Sequence, residues 1–456
     1  MRVVLSAPYP RVDAKFVRMH GIMPPLGILY VAATLERDGH TVIIVDAYGN
    51  RLDPAAAAEA IIEAKPDVVG LGTSTANYLT TREMAQRLRS RSKAPIVLGG
   101  VHGSALPELS LRSGAFDYVI VGEGEVSFSR LLAAIDGGTR PEFPGVAFRD
   151  NGNIVVHQPE LVDLSTLPPK AWHLVNTDNY YPSPAGRMER AAVSTITARG
   201  CTGRCVYCAL NNIFKHVVRQ DPLENVRHEL EHLKAHGKRD INFWDSVFTN
   251  NRERAIALCT MLKELGLRWN VSARVDQVDR ELLEIMADSG CYLIGYGVES
   301  GSQESLARLG RPELDLELVE WAAAETRRAG IKLKTYVMLG FPWEKKTDIE
   351  KTFRFAQRLK ADYVSFCITK PYPGTDLFKQ MDREWTDQDF ENYHHYSGSN
   401  TICEALSGTE LERLSSRMYS QYYFDPRYVW RQVSSIRSAA DIKHLWNSFS
   451  EVFLGA

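Results

Sequence analysis

The sequence predicts an α/β chain: a five-stranded, doubly wound Rossmann-like domain, then a partial (β/α)6 barrel, then a short helical extension. Three observations carry this. Short β-branched runs alternate with amphipathic stretches through the first 140 residues, a cysteine-rich loop follows a strand near residue 200, and the strand–helix rhythm then resumes. The 456 residues, 44% hydrophobic and 24% charged, suffice for two or three packed cores.

The first alternation runs Arg2–Ala7, Leu26–Arg37, Thr41–Asp46, Pro54–Ala64, Asp67–Gly72, Thr80–Ser90, Pro95–Gly99, Leu106–Arg112, Asp117–Val121 and Glu125–Ile135. Its five strands are continuous apolar runs, as expected when both faces are covered, so the sheet is read as parallel with right-handed crossovers. Ligands of such sheets bind at the carboxyl ends of the strands. Those ends carry Gly70, Gly72, Thr73, Ser74 and Thr75, then Gly99 and Gly100, then Gly122-Glu123-Gly124-Glu125. One glycine serves a tight turn equally well, but three such ends in succession favour a nucleotide-like ligand, with Thr73, Ser74, Gly99 and Gly100 as its contacts.

Residues 1–140 form this domain. Residues 141–190, rich in Pro, Asp and Gly and ending in Tyr180-Tyr181-Pro182-Ser183-Pro184-Ala185-Gly186, are read as a linker, 191–385 as the barrel, and 386–456 as the helical extension. The extension is rich in aromatics (Tyr419-Ser420-Gln421-Tyr422-Tyr423-Phe424, Val429-Trp430, His444-Leu445-Trp446), suited to packing on the barrel or to covering a substrate.

A net charge of −2 lacks the basic excess that phosphate contacts need, so the expected partner is a small molecule and not nucleic acid. No apolar run of about 18 residues appears, and Met-Arg-Val-Val-Leu-Ser is too short before Pro8 and Pro10 for a signal peptide, so a cytoplasmic protein without membrane insertion is expected. Seven cysteines argue against a disulfide framework in such a chain. Cys259, Cys291 and Cys403 read as core thiols, and Cys367 as either core or site.

The remaining three follow the strand Ala191–Ala198, in Arg199-Gly200-Cys201-Thr202-Gly203-Arg204-Cys205-Val206-Tyr207-Cys208. Three thiolates hold three irons of a [4Fe–4S] cubane and leave the fourth iron open. The amino and carboxylate groups of S-adenosylmethionine (SAM) can chelate that iron, and one electron from the cluster then cleaves a carbon–sulfur bond to give a 5′-deoxyadenosyl radical. Structural zinc wants four ligands, and the next candidate, His216, stands eight residues beyond Cys208.

The Cys-x-x-x-Cys-x-aromatic-Cys pattern resembles that of the radical SAM superfamily, in which the residue at Tyr207 lies against the adenine. Asp240–Trp244, Arg268–Arg274, Tyr292–Val298, Lys332–Leu339 and Tyr363–Ile368 complete six βα units, whose active site belongs at the strands' carboxyl ends. There stand Asp245, Ser246, Ser272, Arg274, Glu299, Ser300, Thr335, Tyr336, Cys367 and Lys370. The resemblance implies that Asp245 meets the methionine ammonium and that Ser272, Arg274 and Glu299 hold ribose and carboxylate. For Asp245 a capping role is the alternative, and for Arg274 and Glu299 a mutual ion pair. Glu299, Tyr336 and Cys367 are the catalytic candidates, and Gly340-Phe341-Pro342 resembles the family's turn after the fifth strand.

Pro24-Pro25-Leu26-Gly27-Ile28-Leu29-Tyr30, Gly99-Gly100-Val101-His102 and Asp117–Glu125 look like the cobalamin-binding-type domain that precedes many radical SAM barrels. The cobalt-ligating Asp-x-His-x-x-Gly motif is absent: Ala7-Pro8-Tyr9-Pro10-Arg11-Val12-Asp13 stands there, and His20 is wrongly spaced. Cobalamin is therefore an open second cofactor, and Tyr9, Arg11 and Tyr78 are bulky enough to obstruct it. The resemblance, covering roughly residues 1–385, implies hydrogen abstraction from an unactivated carbon of a small substrate, with a flavodoxin- or ferredoxin-type electron donor. Cobalamin-dependent C-methylation in natural-product (antibiotic) biosynthesis leads. The alternative is cobalamin-free dehydration of an aminoglycoside-type diol, as in the apramycin-pathway dehydratase.

Overall fold

In the computed structural model, which describes residues 1–9, 21–183, 187–188, 191–436, 442 and 446, the first domain runs β1 (Arg2–Ser6), β2 (Gly21–Ile22), β3 (Thr41–Val45), β4 (Val68–Gly72), β5 (Ile96–Gly99), β6 (Tyr118–Ile120), β7 (Val146–Asp150) and β8 (Asn153–Val156). The sheet order is β3-β1-β4-β5-β6-β7-β8. The five expected strands are parallel, and the order reverses beside β1, where ligands of such sheets lie. Helices Leu26–Arg37 and Gly124–Asp136 bury Ala32, Leu35, Leu131 and Leu132 on one face. Pro54–Glu63 and Tyr78–Arg89 bury Ala57, Ile61, Met84 and Leu88 on the other.

The expected linker begins with two further strands. β7 pairs antiparallel with β6 and with β8, and the hairpin turns on Asn151 (φ 48°) and Gly152 (φ 86°), an Asn-Gly pair suited to a tight turn with both φ positive. The first sheet therefore extends to residue 156, and the connector proper is shorter than the sequence suggested.

Next come β9 (Tyr181–Pro182), paired with β2, then β10 (Ala192–Thr195), β11 (Ala198–Arg199), β12 (Arg219–Gln220), β13 (Asp240–Phe243), β14 (Arg268–Ala273), β15 (Cys291–Glu299), β16 (Lys332–Leu339) and β17 (Tyr363–Ile368). β10 and β13 to β17 pair in chain order, all parallel, which gives the six-unit partial barrel. On β16, Leu333, Val337 and Leu339 are buried in one core with Ala322, Ala323 and Phe355 of the outer helices. The period of two therefore turns Lys334, Tyr336 and Met338 to the inner face.

A partial barrel leaves strand edges, each with a row of unpaired backbone groups. At β17 the extension supplies the partners. The Val364 N–H donates to the Tyr423 hydroxyl (2.9 Å), the Phe366 N–H to the Tyr419 hydroxyl (3.0 Å) and the Ile368 N–H to the His395 carbonyl (2.7 Å). Both tyrosines lie on helix Gly408–Tyr423, whose start is fixed by a Ser407/Glu410 capping box. Earlier in the extension, Phe390 and Tyr393 enter the first domain's core beside Tyr78, the Tyr78 hydroxyl donates to Asp387 (3.0 Å), and Arg82 pairs with Asp387. The extension therefore packs on both domains. Tyr419→Phe and Tyr423→Phe each strand a buried donor, so each is expected to cost about 1–2 kcal/mol in urea unfolding; unchanged midpoints would show that the edge is held otherwise.

Candidate active site

Gly200 (φ 93°) brings the chain to within 1.9 Å, at its would-be Cβ, of the Val217 carbonyl, so no other residue fits before Cys201. The loop then folds around Gly203. Its N–H donates to Cys201 Sγ (3.3 Å), and its would-be Cβ lies 3.3 Å from Cys201 Sγ, 3.6 Å from Cys205 Sγ and 3.4 Å from Arg274 Nη1. The Gly203 carbonyl accepts from Asn211 Nδ2 (2.7 Å) and meets His216 Nδ1 (3.0 Å), so His216 supports the loop. The loop is further anchored by Val206 N–H to the Leu309 carbonyl and Leu377 N–H to the Val206 carbonyl, both 3.1 Å. Among the described residues no three Cys, His, Asp or Glu side chains converge on one metal ion. Three thiols along one loop suit a cubane, in which each binds a different iron. Burial pushes the Cys208 thiol up to about 11, so a bound cation is what would keep it a thiolate.

Beside the loop lies Glu299, in the left-handed region (φ 61°) and buried. Its partner is Arg311 Nη1 at 3.6 Å, which also donates to the Gly297 carbonyl (3.2 Å), and Tyr207 lies against both Glu299 and Cys205. The alternative of a mutual Arg274–Glu299 ion pair is not what forms: Arg274 pairs with Asp276 (2.7 Å) and Glu313 (2.8 Å). Sequence reading missed Arg311, since an arginine after a helix-terminating glycine carries no distinctive pattern. Asp245 has partners within the fold. Its carboxylate accepts the Thr197 N–H (2.6 Å), the Thr197 hydroxyl (2.7 Å) and the Ala198 N–H (3.1 Å) and is 2% exposed, so it ties β13 to the chain entering the thiol loop, the capping role that stood as its alternative.

Ser272 Oγ and the Tyr336 hydroxyl converge over Gly295, 3.3 and 3.4 Å from its would-be Cβ. Cys367 is on the inner face of β17, and burial pushes its thiol up to about 12, so it stays neutral. Thr335 is buried outward with the core-facing row. Lys370, 1% exposed, donates to the Ser399 carbonyl, and burial lowers it to about 8. Under the Gly340-Phe341-Pro342 turn lies an unforeseen acid, Glu344. It accepts the Gly340 (2.8 Å) and Phe341 (3.1 Å) N–H groups, and burial raises it to about 7. Cys259, Cys291 and Cys403 are buried core thiols, as read.

At the first domain's strand ends, Thr73 Oγ1 and Ser74 Oγ donate to Asn77 Oδ1 (3.0 and 3.1 Å), so their hydroxyls cap a local turn. Gly100 (φ 96°) presses on the Thr73 carbonyl, whereas nothing lies within 4 Å of a Cβ built on Gly99, and Val101 is 47% exposed. The helix Val101–Ala105 packs against Leu210–Phe214, the helix that follows Cys208. Tyr78 is not in the way: it is buried between the His102 ring (3.9 Å) and Phe390. Tyr9 packs beside Tyr48 (5.6 Å). Arg11, Asp13 and His20, with Pro184–Gly186, His444 and Leu445, lie outside the described residues.

The Gly122–Glu125 segment contacts protein instead of cradling a ligand. Arg199, two residues before Cys201, pairs with Glu123 and Glu125 (2.7 Å each), and Arg219 pairs with Glu123 (2.6 Å). Arg199 and Lys170 both lie over the Tyr30 ring, at 4.2 and 4.6 Å from its centroid, in a charge-rich seam, and the Tyr30 hydroxyl donates to Asp221. Lys170 pairs with Glu229 (2.5 Å), which also accepts from Trp172 Nε1 and Thr195 Oγ1. A concavity of about 530 Å³, ringed by Arg327, Arg354, Arg358, Lys360, Arg427 and Arg431, lies on the outer helices near the amino end of β17, away from the thiols.

A strand-end site with three loop thiols in a partial parallel barrel, behind an open Rossmann-like domain, defines the class, and comparison with known proteins agrees. Residues 195–356 match the radical SAM superfamily and 16–132 the B12 binding domain. The chain is an enzyme that carries a radical SAM domain behind an N-terminal B12-binding domain. The barrel's cofactors are accordingly a [4Fe–4S] cluster and SAM, and cobalamin is supported for the first domain. An uncharacterised methyltransferase of Pyrococcus horikoshii is 28% identical, over 90% of each chain. The cytidylyl-2-hydroxyethylphosphonate methyltransferase of Streptomyces wedmorensis is 25% identical, over 86% of this chain and 85% of that one. The fold is that of the radical SAM methyltransferase TsrM of Kitasatospora setae, solved with cobalamin and a [4Fe–4S] cluster (TM-score 0.71, 20% identity, 91% and 84% covered), and of the cobalamin-dependent radical SAM enzyme OxsB (TM-score 0.72, 16% identity, 99% and 72% covered). No described helix is long and apolar enough to cross a membrane.

Arg199→Met strands Glu125 in a buried seam and leaves Glu123 with Arg219 alone, and a loss of about 3–5 kcal/mol in denaturant unfolding is expected; a loss under about 1 kcal/mol would mean that water already solvates Glu125. Glu344 binds a proton more tightly folded than unfolded, so its contribution to stability is full below pH 4.5 and fades as pH rises through about 7. Glu344→Gln should flatten that decline, by on the order of 2–3 kcal/mol between pH 5 and 8. Parallel curves for the two proteins would refute the assignment.

Proposed function

We propose that the protein is a cobalamin-dependent radical SAM C-methyltransferase acting on a small molecule. The observation that carries this is the open strand end at Gly99 and Val101, set on a helix that packs directly against the helix following Cys208. When bound, the cluster supplies the electron that cleaves SAM to the 5′-deoxyadenosyl radical, and cobalamin supplies the methyl group.

Cys201, Cys205 and Cys208 would hold the cluster, and Arg274, whose Nη1 lies 3.4 Å from the would-be Cβ of Gly203 in the thiol loop, is the cation placed to meet the SAM carboxylate. Tyr207 and Phe341, whose ring centroids lie 6.4 Å apart, offer an apolar wall for the adenine. Glu299, held by Arg311, faces the thiol loop and could accept bonds from ribose hydroxyls. Exposed Val101 and the bare backbone at Gly99 suit the flat, largely apolar face of a corrin. The hydroxyls of Tyr336 and Ser272 on the barrel's inner face are the candidates to orient substrate. A small acidic electron carrier of the flavodoxin or ferredoxin type is the proposed reductant. The relatives support this reading, two being named methyltransferases and the two structural neighbours cobalamin-dependent or cobalamin-bound.

Anaerobic incubation of the reconstituted enzyme with SAM, hydroxocobalamin and a strong reductant is expected to yield both S-adenosylhomocysteine and 5′-deoxyadenosine, with neither from a Cys205→Ala protein. Formation of 5′-deoxyadenosine alone would replace methyl transfer with dehydration or rearrangement.

A further inference from the structure

Among the described residues, the barrel's inner face carries a charge, Lys334, that the fold does not match. Lys334 points inward with Tyr336 and Met338, in register with Gly295 of β15 and Tyr363 of β17. Its ammonium lies 4.8 Å from the Tyr336 ring centroid and, among the described residues, has neither a carboxylate within ion-pairing distance nor a hydrogen-bond acceptor. Neighbouring charges are matched. Glu299 has Arg311, Arg274 has Asp276 and Glu313, Asp245 has the Thr197 and Ala198 backbone, and Asp240 accepts from the Tyr292 hydroxyl (2.9 Å).

We infer that the lumen takes a substrate bearing a carboxylate, phosphate or phosphonate group, and that Lys334 is the receptor for that group. This rests on the lumen being the substrate site of the proposed function. A half-buried cation facing an enclosed surface is stabilised when an anion replaces the water it has lost, and the gain is larger there than at the open surface. The Lys334 charge already acts across the lumen, since it lowers the Cys367 thiol against the effect of burial.

The location also constrains the substrate's shape. Gly295 lies four residues before Glu299 on β15, about 13 Å along a strand. An anion on Lys334 therefore sits deep in the barrel, while the carbon to be activated sits near the thiol loop. The substrate is elongated, with its acid group remote from the reacting carbon. The Tyr336 and Ser272 hydroxyls converge over Gly295, at the level of Lys334, so they flank the acid end of the substrate, and the absence of a side chain at Gly295 leaves room for the Tyr336 ring.

The test uses the reconstituted full chain and calorimetric titration with propylphosphonate, propionate and propylammonium, on wild type, Lys334→Gln and Lys334→Arg, each verified to hold the wild-type iron content. Both anions are expected to bind wild type in preference to the cation, to bind Lys334→Gln at least tenfold more weakly, and to bind Lys334→Arg within about threefold of wild type. The stronger anion identifies the headgroup. Equal anion affinity in wild type and Lys334→Gln, no anion binding by wild type, or binding of propylammonium as tight as that of the anions would overturn the inference. Reductive SAM cleavage by wild type, measured in the same preparation, reports separately on the proposed function: its absence with anion binding intact would sink that function and leave the receptor standing.

Discussion

The architecture turns on the ion pairs between Arg199 and the two carboxylates of Glu123 and Glu125. Arg199 is two residues from the first cluster thiol, and the glutamates open helix Gly124–Asp136 of the other domain. A buried ion pair of this kind gains little net energy, because removing both charges from water offsets their attraction. What it does is penalise every other arrangement: sliding one domain past the other would leave a carboxylate or a guanidinium buried without its counter-charge. The seam around Tyr30 extends the same rule. Four acids, Glu123, Glu125, Asp221 and Glu229, face three cations, Lys170, Arg199 and Arg219. Burial raises Asp221, whose carboxylate takes the Tyr30 hydroxyl as its donor. The thiol loop is thus held in register with the first domain before any cofactor binds.

A barrel closed by eight strands would have its lumen filled with side chains. Six strands leave the interior open, at the cost of edges that would otherwise recruit another strand. The extension resolves this with one helix. Tyrosines four residues apart, Tyr419 and Tyr423, meet alternate N–H groups of β17, matching one helical turn to the two-residue strand period. Phe390 and Tyr393, upstream, reach the first domain's core, so the same segment seals the barrel and adds a second tie between domains.

Much of this was legible in the residues. Five apolar runs gave a parallel sheet, and six strand–helix units gave the barrel, because burial on both faces leaves an unbroken hydrophobic signature. The cluster loop was legible because its chemistry demands thiols at fixed spacing. Long-range pairing was not. Asn151-Gly152 turns a hairpin within a stretch whose composition reads as linker, and the acids of Gly122–Glu125, whose glycines read as a ligand-facing strand end, are held by Arg199 and Arg219. The partners of Asp245 and Arg274 were not legible either: Asp245 accepts from the Thr197 and Ala198 backbone, and Arg274 pairs with Asp276 and Glu313. Arg311 and Glu344 carried no pattern at all, since their importance comes from burial, which only the folded chain defines.

The central claim, that the first domain presents its open strand ends to the cluster loop in order to hold cobalamin there, is tested most directly by counting cobalamin. The protein is reconstituted anaerobically with iron, sulfide and excess hydroxocobalamin and then desalted, and its visible spectrum is read against its iron content. The account predicts close to one cobalamin retained per cluster. Retention of a full cluster with no cobalamin would contradict it.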